Sequence, residues 1–399
     1  MVGRDTTELS IGREAFLSVV GKAVQIILGF VGITIFTRVL GSDGLGRYRT
    51  VLAAAFVILT FSESIAAVVK KRVAEVESES AEYLMLALVV HGGVTVITIL
   101  GLSIGSPIAV PYFGSTELTI GVGLITASIG FFSVLNYYQG GIGYPARSTW
   151  ADSLRSVLTL GAQVGLLTLG YREFGVALGL VIASIISGVF VWLSLRPSLV
   201  VPTAETAKRT YTFARYSLPS SFISRLYGNA DTLLINAFAG ASAVGFYSLA
   251  SQFTQPATLL GSSISGALGV KSSGIDSTGG HIRQELINST CYIGLIAIPT
   301  LFGAFAISDA LMQANLFGST YNDAPGTVLI GVALIQLINV YQRPFSTAIG
   351  ASDRPDINFR VNLLAVFFYA PTAFGLGMMH SLYGVIAGTV IAESIRFMT

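Results

Sequence analysis

Four ionisable side chains interrupt stretches of the sequence that are otherwise apolar: Lys22, Glu63, Arg225 and Asp231. A charge at the middle of a bilayer costs at least about 2.5–3.5 kcal/mol, so such a residue faces another helix or a polar cavity. Arginine can donate two parallel hydrogen bonds to phosphate oxygens. Lys22 and Arg225 are therefore candidates for holding a phosphate. The alternative is an internal ion pair, such as Arg225 with Asp231 or Lys22 with Glu63.

The two basic residues lie on helix faces made of small or polar residues. At helical spacing, Lys22 shares a stripe with Ser18, Gln25, Gly29 and Gly32, and Arg225 shares one with Ser221, Ser224, Gly228, Asn229, Thr232 and Asn236. A stripe of this composition does not face lipid. We expect Lys22, Gln25, Arg225, Asn229 and Asn236 to line a cavity, with the ion pair kept open as the alternative role of Arg225.

The remaining charged candidates have two interpretations each. Glu63 and Asp231 are candidates either for ion pairing or for binding a proton or sodium ion that couples transport to a gradient. Arg38, Arg47 and Arg49 cluster after the first apolar stretch. They either form an anion-holding exit or extend to lipid headgroups.

The composition indicates whether water or lipid surrounds most of the chain. Of its 399 residues, 52% are hydrophobic and 11% are charged, and the mean hydropathy is +0.72. An ordinary soluble domain has about 25% charged residues. Apolar windows of about 20 residues, the length needed to cross a bilayer, recur along nearly the whole chain. The sequence therefore predicts an all-α polytopic membrane protein, with no room for a large soluble domain.

Breaks between the apolar windows predict twelve membrane helices in two sets of six. The spans are 14–37, 48–69, 83–106, 118–139, 150–169 and 174–195, then 217–239, 243–269, 286–306, 325–346, 359–378 and 381–397. This divides the chain into an N-terminal lobe (1–197), a connector (198–216) and a C-terminal lobe (217–399). The connector is either an amphipathic helix in the cytoplasmic interface or a solvated linker.

The distribution of Lys and Arg predicts the orientation, because these residues favour cytoplasmic loops. With both termini inside, 17 of the 23 basic residues lie on the inner side and four on the outer side. The outer four are Arg38, Arg47, Arg49 and Arg172. The sequence thus predicts a multi-pass protein of the cell membrane with cytoplasmic ends.

Short motifs recur in order between the two halves. Gly41, Gly46 and Tyr48 recur at a constant offset of 199 as Gly240, Gly245 and Tyr247; NYYQG at 136–140 recurs as NVYQR at 339–343, and GVALG at 175–179 as GVIAG at 384–388. Six spans per half keep both halves in one orientation, which predicts parallel repeats around a central cavity. We expect the paired glycines to let the backbone reverse tightly, because glycine accepts positive φ.

The chain resembles the Wzx-like flippases of the multidrug/oligosaccharidyl-lipid/polysaccharide exporter superfamily. FTRVLGSDGLGRYRTVLA, from Phe36, is similar to the start of those proteins, and SRLYGNADTLLINAFAGASAVGFYSLA, from Ser224, is similar to the start of their second half. The resemblance implies alternating access by two lobes that move a polyprenyl- or dolichyl-linked sugar to the outer leaflet. An excess of 18 Arg over 5 Lys suits an archaeal source.

Other classes of function find little support in the sequence. Cys291 is the only cysteine, and three scattered histidines show no metal-ligand spacing. No Walker loop is present, which excludes a self-contained ATP-driven pump. We therefore expect no enzyme activity, no cofactor or metal and no nucleic-acid partner. The expected partners are a lipid-linked sugar, membrane lipids and glycan-assembly enzymes.

Two alternative functions remain. A cation-coupled multidrug exporter of the same superfamily would have a cavity dominated by carboxylates, whereas Lys22 and Arg225 make this one cationic. A non-transporting scaffold of a glycan-assembly complex is the other alternative. A membrane-embedded glycosyltransferase subunit would need an acidic catalytic motif at a membrane face, and the sequence shows none.

Overall fold

The computed structural model describes residues 11–75, 80–277, 282–351 and 355–398, and these ranges are almost entirely helical. Their α-helices are α1 (Ile11–Glu75), α2 (Ser80–Ile104), α3 (Ser106–Phe113), α4 (Thr116–Gly141), α5 (Pro145–Thr168), α6 (Arg172–Leu195), α7 (Ala204–Ala239), α8 (Ala241–Ser277), α9 (Arg283–Met312), α10 (Gly326–Ala351) and α11 (Pro355–Met398). Every predicted span lies in one of these helices to within two residues. The short helix α3 was not predicted.

Two of the helices hold two predicted spans each, because a single residue breaks them internally. Gly41 in α1 has φ 69° and ψ −174°, and Ser381 in α11 has φ 51° and ψ −125°. The apolar part of α1 runs for 51 residues, about 77 Å at 1.5 Å per residue, more than twice the thickness of the hydrocarbon core. The break at Gly41 therefore divides α1 into two lengths that can each cross a membrane.

Within the described residues, seven helices are long and apolar enough to cross a membrane: α1, α2, α4, α6, α9, α10 and α11. The long helices α5, α7 and α8 fall short of this measure. These three helices contain a larger share of polar residues than the seven others, and α5 and α7 include Arg155 and Arg225.

The chain forms two compact units that interleave along the sequence. The first contains Met1–Ile35 and Arg47–Asn229, and the second contains Phe36–Gly46 and Ala230–Thr399. The core of the first unit includes Val69, Tyr83, Phe132 and Ala214, from four different helices. A core cluster of the second unit contains Ile293, Ala297 and Val340. The boundaries proposed from the sequence for the two lobes and the connector remain predictions.

The first part of α7 packs on the first unit through side chains four residues apart. Thr206, Thr210 and Ala214 are buried, whereas Tyr211 is exposed. The carboxylate of Glu82 accepts hydrogen bonds from the hydroxyls of Thr203 at 2.9 Å and Thr206 at 2.6 Å. Glu82 therefore fixes the N-terminus of α7 to the start of α2.

The repeated glycines confirm one expectation and correct another. Gly41 and Gly240 both adopt positive φ, 69° and 82°, and Gly240 separates α7 from α8. The expectation that both members of each pair serve the turn is wrong, because Gly46 and Gly245 lie inside helices. Their role is close approach: a Cβ at Gly46 would overlap the carbonyl oxygen of Ala241.

The close approach is reciprocal within the second unit. A Cβ at Gly245 would overlap the carbonyl oxygen of Ser42, and Ser42 and Ala241 stand at the same offset of 199 as the glycines. The hydroxyl of Thr320 also accepts a hydrogen bond at 3.2 Å from the backbone N–H of Ser42, just after the break at Gly41. The repeat in the sequence thus produces a symmetrical backbone contact.

We expect Gly245→Ala to destabilise the protein. The new methyl group forces two backbones apart, and overpacking of this kind costs about 1–3 kcal/mol. The thermal unfolding midpoint of the purified chain in detergent should therefore fall. Gly266→Ala in the same helix is the matched control, since no atom lies within 4 Å of its added Cβ. Equal shifts in the two variants would contradict the close-contact role.

Candidate functional site

The central feature of the first unit is an ion pair between Glu63 of α1 and Arg225 of α7. The Nη2 atom of Arg225 donates to Oε2 of Glu63, across 162 positions of sequence. The side chains are 41% and 18% exposed, respectively, so the pair is half-buried and an anion can reach the guanidinium. Arg225, one of the residues named from the sequence for an internal ion pair, thus pairs with Glu63.

Aromatic side chains lie close to both members of the pair, in space or along the chain. The guanidinium of Arg225 lies 6.0 Å from the ring centroid of Phe56, a distance at which a cation is attracted to a ring face. The rings of Phe61 and Phe222, each close in sequence to one member of the pair, contact each other at 5.2 Å between centroids. Apolar surroundings of this kind strengthen the attraction between the Arg225 guanidinium and a bound anion.

A second ion pair lies in the same region of the first unit. Within α5, Arg155 donates to Asp152 at 2.7 Å, and its guanidinium lies 5.0 Å from the ring centroid of Phe132. Tyr137 of α4 lies within electrostatic range of Glu63, Arg225 and Asp152. Helices α1, α4, α5 and α7 therefore contribute to one charged region. The sequence does not predict this placement of Asp152 and Arg155.

Gln25 reaches this region from the first half of α1. Its Nε2 atom donates to the Ser153 hydroxyl at 3.2 Å, and that hydroxyl donates in turn to the carbonyl oxygen of Gly21 at 3.1 Å. Gln25 thus contacts the residue next to Asp152. The side chain of Lys22 lies outside the described residues, so its predicted role stays a prediction.

The two asparagines of the predicted stripe fall in different units. Asn229 donates its side-chain N–H to the carbonyl oxygen of Arg225 at 2.8 Å and is half-buried. Asn236 is half-buried in the second unit, and its carbonyl oxygen accepts a hydrogen bond from Gly240 at 3.1 Å. Arg225 and Asn229 are therefore brought together in the first unit.

Asp231 belongs to the second unit, where three hydroxyls donate to its carboxylate. They come from Tyr247 at 2.7 Å, Tyr369 at 2.6 Å and Thr389 at 2.7 Å. Tyr247 is the repeated tyrosine of the glycine motif, and its counterpart Tyr48 accepts a hydrogen bond from Gln163 at 3.0 Å. Arg225, which the sequence offered as one possible partner of Asp231, pairs with Glu63.

The three arginines of the predicted exit are divided between the units. Arg38 is exposed and belongs to the second unit, whereas Arg47 and Arg49 are half-buried in the first. A Cβ added at Gly114 would meet the guanidinium of Arg47 at 2.8 Å, so Arg47 packs against the turn after α3. The role of the three as an exit remains a prediction.

Sequence reasoning missed two buried polar groups. Glu393 is 1% exposed on α11, accepts from Asn339 at 3.1 Å and pairs with Arg396 at 3.4 Å. Its position inside the span 381–397 is the signal that could have found it. His91 is fixed by Ser62, next to Glu63, at 3.0 Å, and no comparable signal in the sequence indicates that contact.

The described residues contain no cluster of three or more His, Cys, Asp or Glu side chains that could hold a metal ion. The charged region is made of Arg, Asp, Glu and Tyr side chains. In such a region, one hydrogen-bond acceptor on the guanidinium of Arg225 can be replaced by another. That capability fits the binding of an anion.

The fold and the charged region define a class: an all-helical polytopic membrane protein of the two-repeat transporter architecture. A family model described as polysaccharide biosynthesis protein matches residues 11–268. The chain belongs to this family.

Relatives and solved structures agree with this class. The chain is 24% identical over 374 residues to the probable flippase AglR of Haloferax volcanii, covering 92% of this chain and 78% of the relative. It is 22% identical over 377 residues to the probable low-salt glycan biosynthesis flippase Agl15 of the same organism, with the same coverage of both chains. Both relatives are named as probable flippases, and their source is consistent with an archaeal origin.

Among solved structures, the chain is similar to the lipid II flippase MurJ in an inward closed conformation. The TM-score is 0.78 at 16% identity, over 96% of this chain and 86% of that one. A multidrug resistance MATE family transporter in an inward-facing conformation gives a TM-score of 0.71 at 14% identity, over 96% of both chains. The predicted fold class is thereby confirmed.

We expect a double-mutant cycle to detect energetic coupling between Glu63 and Arg225. Either single change to Gln leaves one half-buried charge without its partner, which is destabilising. Changing both removes both charges, so the double variant should lose less stability than the two single losses added together. The measurement is the free energy of unfolding of the four proteins in detergent.

The matched control is the exposed pair of Glu205 and Arg209, four residues apart in α7. Exposed pairs at this spacing couple weakly, so that cycle should be close to additive. Additive losses at Glu63 and Arg225 would show that the half-buried pair contributes no more than a surface pair.

Proposed function

We propose that the protein is a flippase that moves a polyprenyl- or dolichyl-phosphate-linked sugar from the cytoplasmic to the outer leaflet by alternating access. The observation that carries this proposal is the half-buried Arg225 guanidinium, reachable by an anion, in a chain that belongs to the polysaccharide biosynthesis family. The similarity to flippases over 92% of the chain supports the same function. Glycan-assembly enzymes are proposed as partners that supply the substrate.

The chemistry of the substrate fits the charged region. A lipid-linked sugar carries a phosphate between an apolar chain and a polar head. The Arg225 guanidinium would bind the phosphate oxygens through two hydrogen bonds. Gln25 and Asn229 would donate to or accept from the sugar hydroxyls, and Lys22 would add a second positive charge. Transport requires no covalent step, so the protein would act as a carrier rather than as an enzyme.

A cation-coupled multidrug exporter is the second candidate, favoured by the similarity to MATE transporters in fold. That similarity is at 14% identity and shows the fold alone. Arg225 opposes this candidate, because a guanidinium repels a cationic drug. Direct measurement distinguishes the two: accumulation of a cationic dye would rise in cells lacking the protein only if it exports such compounds.

We propose Asp231 as the site that couples transport to an ion gradient, in preference to Glu63. Glu63 is committed to Arg225, whereas Asp231 is held by hydroxyls that can remain in place when a proton or monovalent cation binds. Asp231→Asn should therefore change how the transport rate depends on the imposed gradient. An unchanged dependence would remove Asp231 from the coupling mechanism.

The orientation is proposed with both termini in the cytoplasm. In a Cys291→Ser background, Glu205→Cys should react with a membrane-impermeant maleimide only after the cell membrane is opened. Tyr171→Cys should react in intact cells. Both positions are exposed, Tyr171 at 53% and Glu205 at 71% of its side chain. The reverse labelling pattern would invert the topology.

We expect deletion of the gene to trap lipid-linked sugar in the cytoplasmic leaflet, as measured by leaflet-resolved detection of the sugar. The unmodified gene should restore its delivery. Arg225→Ala and Lys22→Ala should restore little, because each removes a positive charge that we assign to phosphate binding. Normal delivery in the deletion strain, without a redundant transporter, would contradict the flippase proposal.

Arg209→Ala is the matched control for the arginine variant. This residue is exposed and pairs with Glu205 at 2.5 Å, away from the charged region. It should restore delivery fully at normal expression. Full restoration by Arg225→Ala as well would remove Arg225 from phosphate binding.

A further inference from the structure

In the charged region, the guanidinium of Arg225 is bound by a carboxylate of the protein itself, that of Glu63. The carboxylate–guanidinium contact is direct. The two residues lie on helices far apart in sequence, so this is a tertiary contact rather than a neighbour pair within one helix. Building on the proposed function, we propose that Glu63 is a tethered counter-anion: it occupies Arg225 when the carrier is empty, and the phosphate of the substrate displaces it.

The exchange is chemically symmetrical. A carboxylate and a phosphate both offer oxygens that accept hydrogen bonds from a guanidinium in the same planar geometry. Either anion therefore neutralises Arg225. Since the Arg225 side chain is 41% exposed, a phosphate can approach it before Glu63 has left. No bond is made or broken and no proton needs to move, because one anion simply replaces the other.

The neighbouring groups leave this role to Glu63. Asp152, the other carboxylate in electrostatic range of Tyr137, is bound to Arg155 at 2.7 Å and is thereby already neutralised. Phe56 beside Arg225 brings an aromatic ring rather than a charge. Without Glu63, an empty carrier would hold an uncompensated guanidinium in apolar surroundings, which is unfavourable.

The inference separates two modes of transport. Net movement of substrate requires the empty carrier to return, and in that step Glu63 must neutralise Arg225. Exchange of one substrate molecule for another requires no empty return, because a phosphate occupies Arg225 in both directions. Loss of the Glu63 charge should therefore slow net movement and spare exchange. A purely structural ion pair would affect both modes alike.

The test uses the full chain in lipid vesicles, with fluorescent polyprenyl-phosphate glucose added to the outer leaflet. Its transfer is followed by the fraction protected from a membrane-impermeant reductant. Net movement is measured without other carrier lipid, and exchange is measured with unlabelled polyprenyl-phosphate glucose in both leaflets. For Glu63→Gln we expect the net rate to fall at least about tenfold, whereas exchange stays within about threefold of the unmodified chain.

Two further variants complete the test. Glu63→Asp keeps the charge and should recover part of the net rate. Glu205→Gln alters the exposed pair with Arg209 and should change neither rate. An equal loss of both rates in Glu63→Gln, or an unchanged net rate, would overturn the counter-anion role. If the unmodified chain moves no probe in either mode, the flippase proposal itself fails. This outcome depends only on the unmodified protein, so it is distinct from the outcomes for the Glu63 variants.

Discussion

The structure of the charged region depends on one constraint: a charge inside an apolar helix bundle must be neutralised by the protein. A guanidinium cannot lose its proton at accessible pH, so Arg225 needs an anion at all times. Glu63 supplies it from a different helix, and the contact fixes the position of the first unit's α7 against α1. Removing either residue therefore affects both the packing of helices and the chemistry of the region.

Close backbone contact is the second requirement, and small residues meet it. Gly46 and Gly245 allow carbonyl oxygens to approach where any side chain would overlap them. Membrane helices gain little from burying apolar groups against each other, because lipid is equally apolar, so close packing has a larger share in holding them together. The repeated motif therefore serves packing through Gly46 and Gly245, and the break in the helix through Gly41 and Gly240.

The sequence alone was sufficient for the helices and the repeat, because apolar length and glycine spacing are local signals. The span 83–106 ends two residues beyond α2, and the offset of 199 reappears as positive φ at both Gly41 and Gly240. The sequence did not indicate which residue pairs with Arg225. Helical periodicity shows which face a residue occupies, but it does not show which residue of another helix lies opposite.

The same limit applies to Asp231. It lies six residues after Arg225 on the same helix, about 1.7 turns, so the two side chains leave the helix axis about 120° apart. Tertiary contacts decide the matter instead, and they bring hydroxyls to Asp231 from α8 and α11. Sequence patterns identified both residues as unusual, and only the fold identified what neutralises each of them.

Glu63 and Asp231 show two ways of accommodating a carboxylate, with different consequences for function. A carboxylate held by a guanidinium is one of two interchangeable anions, so a phosphate can compete for its place. The carboxylate of Asp231 is instead held by the neutral hydroxyls of Tyr247, Tyr369 and Thr389. None of these three partners offers a positive charge to a phosphate, and the carboxylate would repel it. Binding a proton or a metal cation would instead reduce its charge. We therefore propose anion exchange at Glu63 and cation binding at Asp231.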